Sequence, residues 1–215
     1  MTARGRLITF EGGEGAGKST QIRHLAAALR AAGLEVVATR EPGGTPGAEA
    51  IRALLVDGPP SRWSPLAETL LLLAARHDHV TRVIEPALAA GRWVLCDRFM
   101  DSTRVYQGVA GALGLTLIEQ LHRLVFGEFC PDLTVILDLP APVGLARRRA
   151  DAGGDRFERM DPAYHERVRA GFLAIAQAEP ERCRVIEAGP SEAVVASRVR
   201  AAVRERFGLD RADPG

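Results

Sequence analysis

Residues 12 to 19 have the G-x-x-x-x-G-K-S spacing of a phosphate-binding loop. Glycines let the backbone of such a loop turn its N–H groups towards phosphate oxygens, and the following helix adds the positive end of its dipole. Lys18 is the only lysine among the 28 lysines and arginines, so its place in this loop is informative. A glycine-rich turn without a nucleotide is the alternative. The predicted site comprises Gly12, Gly13, Glu14, Gly15, Ala16, Gly17, Lys18 and Ser19, with Lys18 on the β- and γ-phosphates and Ser19 towards Mg²⁺.

Glu14 is an unusual residue inside this loop, because bound polyphosphate repels a carboxylate. We expect its side chain to turn away from the phosphates, either into solvent or towards a donor such as a metal-bound water. A sugar hydroxyl of a second substrate is one good candidate for that donor.

A second acidic element follows the apolar run from Trp93 to Cys96. Asp97 in this position resembles the acid that holds Mg²⁺ through water in phosphate-loop proteins, or else it caps the next turn. Arg98 beside it can hold a second phosphate through two parallel hydrogen bonds, or lie on the surface.

Further arginines lie where phosphoryl transfer needs cations. Arg40, Arg76 and Arg98 fall at element ends or beside loops, where they can converge on a second anion. Other arginines flank a glycine-containing segment that we interpret as a lid over about residues 147–160, namely Arg147, Arg148, Arg149 and Arg156. A lid arginine can stabilise charge on the transferring group, whereas a solvated helix end is the alternative for any one of them.

Strands and helices must alternate to position these residues. Apolar runs predict strands at 7–10, 36–39, 93–96, 133–139 and 184–186. Helices are predicted at about 18–32, from the loop ending at 46 to about 55, at 66–90 with a bend near Pro86, and at 115–126, 141–149 and 191–207. The alternation predicts an α/β protein with one doubly wound parallel sheet in a single domain over 1–215.

Composition excludes several classes of protein. A net charge of +1 gives no general case for nucleic-acid or membrane-surface binding. The three cysteines form no C-x-x-C pair, so neither a disulfide framework nor a zinc site is expected. The N-terminus has no signal-peptide pattern, and the apolar stretch 70–75 is far shorter than the ~20 residues of a membrane span. We therefore expect a cytoplasmic protein without nucleic-acid or membrane partners.

The loop alone does not distinguish switches, motors and kinases. The chain contains no asparagine, so it lacks the N-K-x-D motif of guanine-specific switches. A phosphate-loop ATPase or regulatory nucleotide-binding protein stays open as an alternative. None of the five dispersed histidines resembles a general base. A phosphate monoester, with a second pKa of ~6, needs no such base, which favours a nucleoside monophosphate as acceptor.

Several segments together resemble the bacterial thymidylate kinase family over residues 6–207: R-E-P-G-G-T at 40–45, A-A-R at 74–76, D-R-F at 97–99, S-T at 102–103 with Y-Q-G at 106–108, P-D-L-T at 131–134 and D-R-F-E at 155–158. The resemblance implies transfer of the γ-phosphoryl group of MgATP to dTMP, giving dTDP and ADP for dTTP synthesis. It implies the nucleoside monophosphate kinase fold, a five-stranded parallel sheet of order 2-3-1-4-5 flanked by helices. It also implies a homodimer packed through helices.

Matching motif positions imply the roles of residues on the acceptor side. Glu14 would bind the 3′-hydroxyl of the dTMP sugar. Arg98 and Arg40 would bind the dTMP phosphate, and Arg98 would also serve catalysis. The thymine edge would be read by Arg76 and Thr103, with Gln107 nearby.

The resemblance also implies which residues bind ATP and Mg²⁺, on the donor side of the site. Residues Gly12 to Thr20 would hold ATP, with Lys18 catalytic, and Ser19 and Asp97 would hold Mg²⁺. The loop has no arginine and the lid is rich in arginine, as in the enterobacterial type, whose lid supplies the catalytic arginine. We therefore expect Arg149 and Arg156 in catalysis and Arg147 near the adenine.

Leu72 departs from the family pattern, which has a phenylalanine four residues before the A-A-R arginine to stack on thymine. Leucine offers an apolar floor without offset stacking. Three alternatives are open: a looser thymine site, an inward shift of Leu71 or Leu73, or a relaxed base preference that admits dUMP.

Overall fold

A parallel sheet lies at the centre of the part of the chain that the structure, a computed structural model, describes. That part is residues 4–111, 113–149 and 160–209, without the side chains of Pro60, Arg148 and Arg149. Within it the five strands are β1 (Leu7–Glu11), β2 (Val36–Arg40), β3 (Trp93–Asp97), β4 (Leu133–Asp138) and β5 (Cys183–Glu187). Their order is β2-β3-β1-β4-β5, which confirms the predicted α/β class and strand order.

Strand β1 is buried along its whole length between β3 and β4. Phe10 pairs with Asp97 of β3, and Glu11 pairs with Ile136 of β4. Because all strands are parallel, their carboxyl ends lie along one edge of the sheet, and the loops that follow them meet there. Residues far apart in sequence are thereby brought to one site.

Helices cover both faces of the sheet. They are α1 (Lys18–Ala31), α2 (Pro46–Val56), α3 (Pro65–His79), α4 (Glu85–Ala89), α5 (Met100–Thr103), α6 (Leu115–Phe126), α7 (Ala141–Arg149), α8 (Pro162–Ala178) and α9 (Glu192–Phe207). Ile8 and Phe10 pack in one apolar cluster with α1 and α9, whereas Leu7 packs in another with α4. Side chains of a strand alternate between faces, so Thr9 and Glu11 are on the same side as Leu7.

The long helix predicted at 66–90 is interrupted. A π-helical turn at Val80–Ile84 separates α3 from α4. Pro86 explains the interruption, because it lacks the N–H that would bond to the carbonyl of Arg82 in a continuous α-helix.

Two helical segments were absent from the sequence-based expectations. Helix α8 buries Tyr164, Val168, Phe172 and Ile175, a helical spacing that the sequence contains. The other segment is α5, which continues as a π-helix over Arg104–Ala110. It buries polar as well as apolar side chains, so it has no amphipathic pattern to detect.

The three cysteines are free thiols, with Cys96 and Cys183 buried and Cys130 exposed. No helix in the described ranges combines the length and the apolar character that crossing a bilayer requires.

Candidate active site

The phosphate loop joins β1 to α1 with a backbone that requires glycine at two close approaches. Gly12 has φ +133°, and a Cβ there would lie 2.5 Å from the Leu137 carbonyl oxygen. Gly15 has φ +66°, and a Cβ there would lie 2.1 Å from the Gly144 carbonyl oxygen. The loop therefore packs backbone against backbone on the end of β4 and on α7.

Lys18 is only 8% exposed at the start of α1. Its Nζ donates to the carbonyl oxygens of Gly12 at 3.1 Å and Gly13 at 3.0 Å. Burial and the charge of Arg98 lower the pKa of Lys18, and neighbouring acids oppose this. The ammonium folds over its own loop, where phosphate oxygens of a ligand can replace the two carbonyl acceptors.

Ser19 and Asp97 meet beside the loop. The Ser19 hydroxyl donates to Asp97 Oδ2 at 2.6 Å, across 78 positions of sequence. The contact arises because Asp97 ends β3, the strand next to β1. A hydroxyl and a carboxylate are hard oxygen ligands of the kind that Mg²⁺ binds directly or through water.

Glu14 turns to a cluster on the loop after β3 and on the π-helix. Its Oε1 accepts from Arg98 Nη2 at 2.6 Å and from the Tyr106 hydroxyl at 2.8 Å. Burial raises the pKa of Glu14, but the charges of Arg98 and Lys18 and the hydrogen bond from Tyr106 outweigh burial and lower it to about 2. The carboxylate is therefore ionised at neutral pH.

Arg98 is held in a left-handed backbone conformation, with φ +67°. Such a conformation costs a non-glycine residue about 1–3 kcal/mol. Arg98 Nη1 donates to Ser102 Oγ at 3.2 Å and to the Gly12 carbonyl at 3.3 Å. The guanidinium also lies 4.9 Å from the centre of the Tyr106 ring. These contacts hold a fixed cation beside the phosphate loop.

Arg76 is 3% exposed and anchored on three sides. Its Nε donates to Glu41 Oε2 at 2.6 Å, and its Nη2 donates to the Phe99 carbonyl and to Thr103 Oγ1, both at 3.0 Å. Its Nη1 is buried and has no hydrogen-bond partner among the described residues. A buried guanidinium N–H without a partner is costly, so an acceptor from a ligand would stabilise it.

Glu41 shares its carboxylate between Arg76 and His79, whose Nδ1 lies 3.1 Å from Glu41 Oε1. Nε2 of His79 lies 2.7 Å from Thr39 Oγ1. Potential ligand atoms of Glu41, His79 and Cys96 lie within 4.8 Å of one another. The charge of Arg76 on the same carboxylate opposes a bound cation there.

Gln107 and Leu72 lie near the same network. Gln107 Nε2 donates to the buried Glu68 Oε1 at 2.7 Å, so the amide carbonyl of Gln107 is its remaining polar atom. Half-buried Leu72 lines the cavity, whereas Leu71 and Leu73 are not among the residues lining it. Arg40, 56% exposed, pairs with Glu49 at 3.1 Å.

A cavity of about 900 Å³ connects these groups. Its lining includes the loop from Glu14 to Gln21, the Arg76 and Arg98 groups, and the segment Ala188–Glu192. Arg147 also lines it and donates to the Ala188 carbonyl at 3.2 Å. The segment after β5 and Arg40 at the end of β2 lie at opposite edges of the sheet, with the phosphate loop between them. The cavity therefore extends to both sides of the phosphate loop, towards the segment after β5 on one side and towards Arg40 on the other.

Most of the predicted site residues line this one cavity: Glu14, Gly15, Ala16, Gly17, Lys18, Ser19, Thr20, Arg40, Leu72, Arg76, Asp97, Arg98, Thr103, Gln107 and Arg147. Gly12 and Gly13 provide carbonyl contacts to Lys18. Arg156 and the Arg149 side chain lie outside the described residues.

The structure brings to the site four residues that the sequence patterns gave no role: Glu11, Glu41, Tyr106 and His79. Glu11 carried one usable signal, since it directly follows the run 7–10, as Asp97 follows 93–96. Glu41 is separated from its strand run by Arg40, and its signal is its place in the R-E-P-G-G-T segment. Tyr106 lies in the Y-Q-G segment, which marked the family resemblance without indicating a contact with Glu14. His79 carried no local signal, because its partner Glu41 is distant in sequence.

A family model described as thymidylate kinase matches residues 10–199. The chain is 57% identical over 206 residues to a thymidylate kinase of Caulobacter vibrioides, covering 96% of this chain and 99% of that one. It is 54% identical to a thymidylate kinase of Nitrobacter winogradskyi, with 94% and 90% covered.

A solved structure gives the same likeness in three dimensions. The crystal structure of thymidylate kinase from Ehrlichia chaffeensis superposes with a TM-score of 0.76 at 34% identity, covering 93% of this chain and 99% of that chain. These matches do not favour the ATPase, regulatory or other monophosphate-kinase alternatives.

Proposed function

The chain belongs to the thymidylate kinase family and transfers a phosphoryl group from ATP to dTMP, and on that premise we propose which part of its cavity binds each nucleotide. ATP lies over the phosphate loop towards Ala188–Glu192. The dTMP nucleotide lies towards Arg76 and Arg98, so that its phosphate meets the γ-phosphate near Lys18. The single observation that carries this arrangement is the Glu14–Arg98 contact of 2.6 Å, which joins the phosphate loop to the acceptor side.

The phosphate loop, Gly12 to Thr20, holds the ATP phosphates through its backbone N–H groups. Lys18 supplies the point charge on the β- and γ-phosphates, and its present contacts with loop carbonyls keep it close to that position. Arg147 serves the adenine side, which its bonds to the carbonyls of Ala188 and Gly189 support.

Ser19 and Asp97 hold Mg²⁺ on the same side. The residues fit the ion, because an oxygen ligand at the start of α1 and one at the end of β3 already lie 2.6 Å apart. When bound, the ion neutralises charge on the β- and γ-phosphate oxygens.

The acceptor side binds dTMP by its phosphate, sugar and base. Arg98, with Arg40 at the rim, binds the phosphate through charge-assisted hydrogen bonds. Glu14 accepts from the sugar 3′-hydroxyl, for which its ionised state suits it. Arg76, Thr103 and Gln107 bind the base edge. Nη1 of Arg76, which has no hydrogen-bond partner in the described part of the chain, supports this assignment.

Transfer needs little proton chemistry, because the dTMP phosphate is mostly ionised at neutral pH. Positioning and charge neutralisation then provide the catalysis. Residues 1–215 form one domain in this proposal, and a lid at about 147–160 closes over the ATP. Arg149 and Arg156 of the lid stabilise the transferring group as an arginine finger does.

Two further properties complete the proposal. The enzyme is cytoplasmic, which the free thiols support because free cysteines persist in reducing compartments. It is also a homodimer through α3 and α6, two helices in contact. Leu66 and Leu70 on α3 are 44% and 50% exposed, and Leu124 on α6 is 82% exposed. A group of exposed leucines on adjacent helices is typical of an interface.

Sedimentation equilibrium tests the dimer. Leu124→Glu should give a monomer, while Val194→Glu, on α9 and 42% exposed in the wild type, should leave the mass unchanged. A dimeric Leu124→Glu protein would place the interface elsewhere.

The reaction is tested by following ADP release with ATP, Mg²⁺ and a panel of nucleoside monophosphates. Release should depend on the acceptor and be fastest with dTMP. Release without an acceptor would indicate an ATPase. Turnover of another monophosphate but not of dTMP would refute the substrate assignment while leaving the kinase assignment in place.

A further inference from the structure

Glu11 ends β1 as a fully buried carboxylate to which no role has been assigned above. Its Oε1 accepts from the backbone N–H groups of Phe99 at 2.8 Å and Ser102 at 3.2 Å. Its Oε2 accepts from the Ser102 hydroxyl at 2.6 Å. All three donors belong to the start of α5.

Helix α5 has no cap of its own. The first N–H groups of a helix lack partners inside the helix, and a side chain at the N-cap position usually accepts from them. Phe99 occupies that position and makes no side-chain capping bond. Glu11 therefore caps the helix from β1, 88 positions before Phe99 in the sequence.

The capped segment carries the acceptor side of the site. Thr103, Tyr106 and Gln107 lie on α5 and on the π-helix that continues it. Ser102, which donates to Glu11, also accepts from Arg98 at 3.2 Å. On the other side, Glu11 is directly followed by the phosphate loop. One carboxylate thus sets the position of the acceptor-binding helix relative to the loop.

We propose that Glu11 is a positioning residue that selectively supports dTMP binding, by capping α5 and holding Arg98 and Thr103 in register with the phosphate loop. This inference rests on the proposed function of the acceptor side. It assigns to Glu11 no contact with either nucleotide.

The energetics of Glu11 agree with such a role. Burial and the charge of Asp101 raise the pKa of Glu11 to about 7, while Ser102, Arg98 and the Phe99 N–H act in the opposite direction. A buried acid with so unfavourable an environment weakens folding, and acids of this kind concentrate at functional sites.

Steady-state kinetics of variants test the proposal. Glu11→Ala should raise KM for dTMP about tenfold and KM for ATP less than about twofold. A tenfold change in affinity is of the size expected for the loss of one helix cap. Glu11→Gln keeps Oε1 as an acceptor for both N–H groups, and its amide can donate to the Ser102 hydroxyl. The Glu11→Gln enzyme should therefore have a KM for dTMP within about threefold of the wild-type value.

Thr9→Val is the matched control. Thr9 lies two positions earlier on β1, is fully buried and bonds to Thr134 at 2.9 Å. This variant should lower the melting temperature without changing the ratio of the two KM values. Should Glu11→Ala not fold, Glu11→Asp replaces it, since aspartate keeps the charge but has a shorter reach. Aspartate should then raise KM for dTMP more than glutamine does.

The proposal would be overturned if Glu11→Ala raised both KM values equally, or lowered the melting temperature without changing the ratio of the two KM values. It would also be overturned if Glu11→Asp had a lower KM for dTMP than Glu11→Gln. The wild-type enzyme separates the two levels of inference. If the wild type fails to turn over dTMP, the proposed function fails. If only the variants behave differently from these expectations, the role of Glu11 fails.

Discussion

The Glu14 carboxylate and the Arg98 guanidinium form an ion pair of 2.6 Å that joins the phosphate loop to the loop after β3. Both side chains are largely buried, at 12% and 19% exposed. Truncating one partner of such a pair leaves the other charge unpaired. The pair therefore links the phosphate loop to the loop after β3, and removing either charge should have a measurable effect on stability.

Glu14→Gln should change how stability depends on pH. The folded-state pKa of Glu14 is lowered from 4.5 to about 2, so the ionised form stabilises the fold above pH 4.5 and this contribution is lost as the pH falls. Between pH 6 and pH 4 the wild type should lose roughly 1 kcal/mol of unfolding free energy relative to the variant. Urea denaturation at both pH values measures this difference. A constant difference between the two proteins would contradict the ionised pair.

Arg98→Ala and Lys18→Ala should both nearly abolish transfer, but for different reasons. Loss of Arg98 should weaken dTMP binding about 10- to 100-fold, because charge-assisted bonds to the phosphate are removed. Loss of Lys18 should lower kcat about 100- to 1000-fold by removing charge from the γ-phosphate. Isothermal titration of each variant with dTMP and with ATP separates the effects. An equal collapse of ATP binding in Arg98→Ala would show that Arg98 is misassigned.

Leu72→Phe should tighten the thymine site. An aromatic ring stacked on the base adds about 0.5–1.5 kcal/mol, so KM for dTMP should fall about two- to tenfold. Leu71→Phe is the control, because Leu71 is also half-buried but is not among the residues lining the described cavity. The comparison requires KM values for dTMP and dUMP with each protein. Equal effects of the two substitutions would exclude Leu72 from the base site.

Glu41→Ala should destabilise the fold by about 3–5 kcal/mol, because it leaves the buried Arg76 charge without its carboxylate. Arg76→Met combined with Glu41→Ala should recover part of this loss, which urea denaturation can measure as a coupling energy. The exposed pair Arg198–Glu187 provides the contrast. Glu187→Ala should cost less than about 1 kcal/mol. Similar losses at both sites would argue against a buried network.

The strands and the main helices were predictable because their signals are local. An apolar run bounded by turn residues, or apolar residues three and four apart, is set by neighbours in sequence. The break at Val80–Ile84 was foreseen only as a bend near Pro86, since proline removes one hydrogen bond without specifying how the backbone compensates. The segment 100–110 escaped prediction, because buried Asp101 and Arg104 hide any amphipathic pattern.

The phosphate loop is predictable from eight consecutive residues, because their order alone contains the spacing of glycines, lysine and serine. The same residues predict that Glu14 turns away from the phosphates, because bound phosphates repel its carboxylate. The partners of the buried charges become known only in the folded chain: Arg98 and Tyr106 for Glu14, Arg76 for Glu41, and the α5 terminus for Glu11. These side chains meet because parallel strands bring their carboxyl ends to one edge of the sheet. Contacts between residues 35 to 92 positions apart therefore follow from sheet order and leave no pattern along the chain.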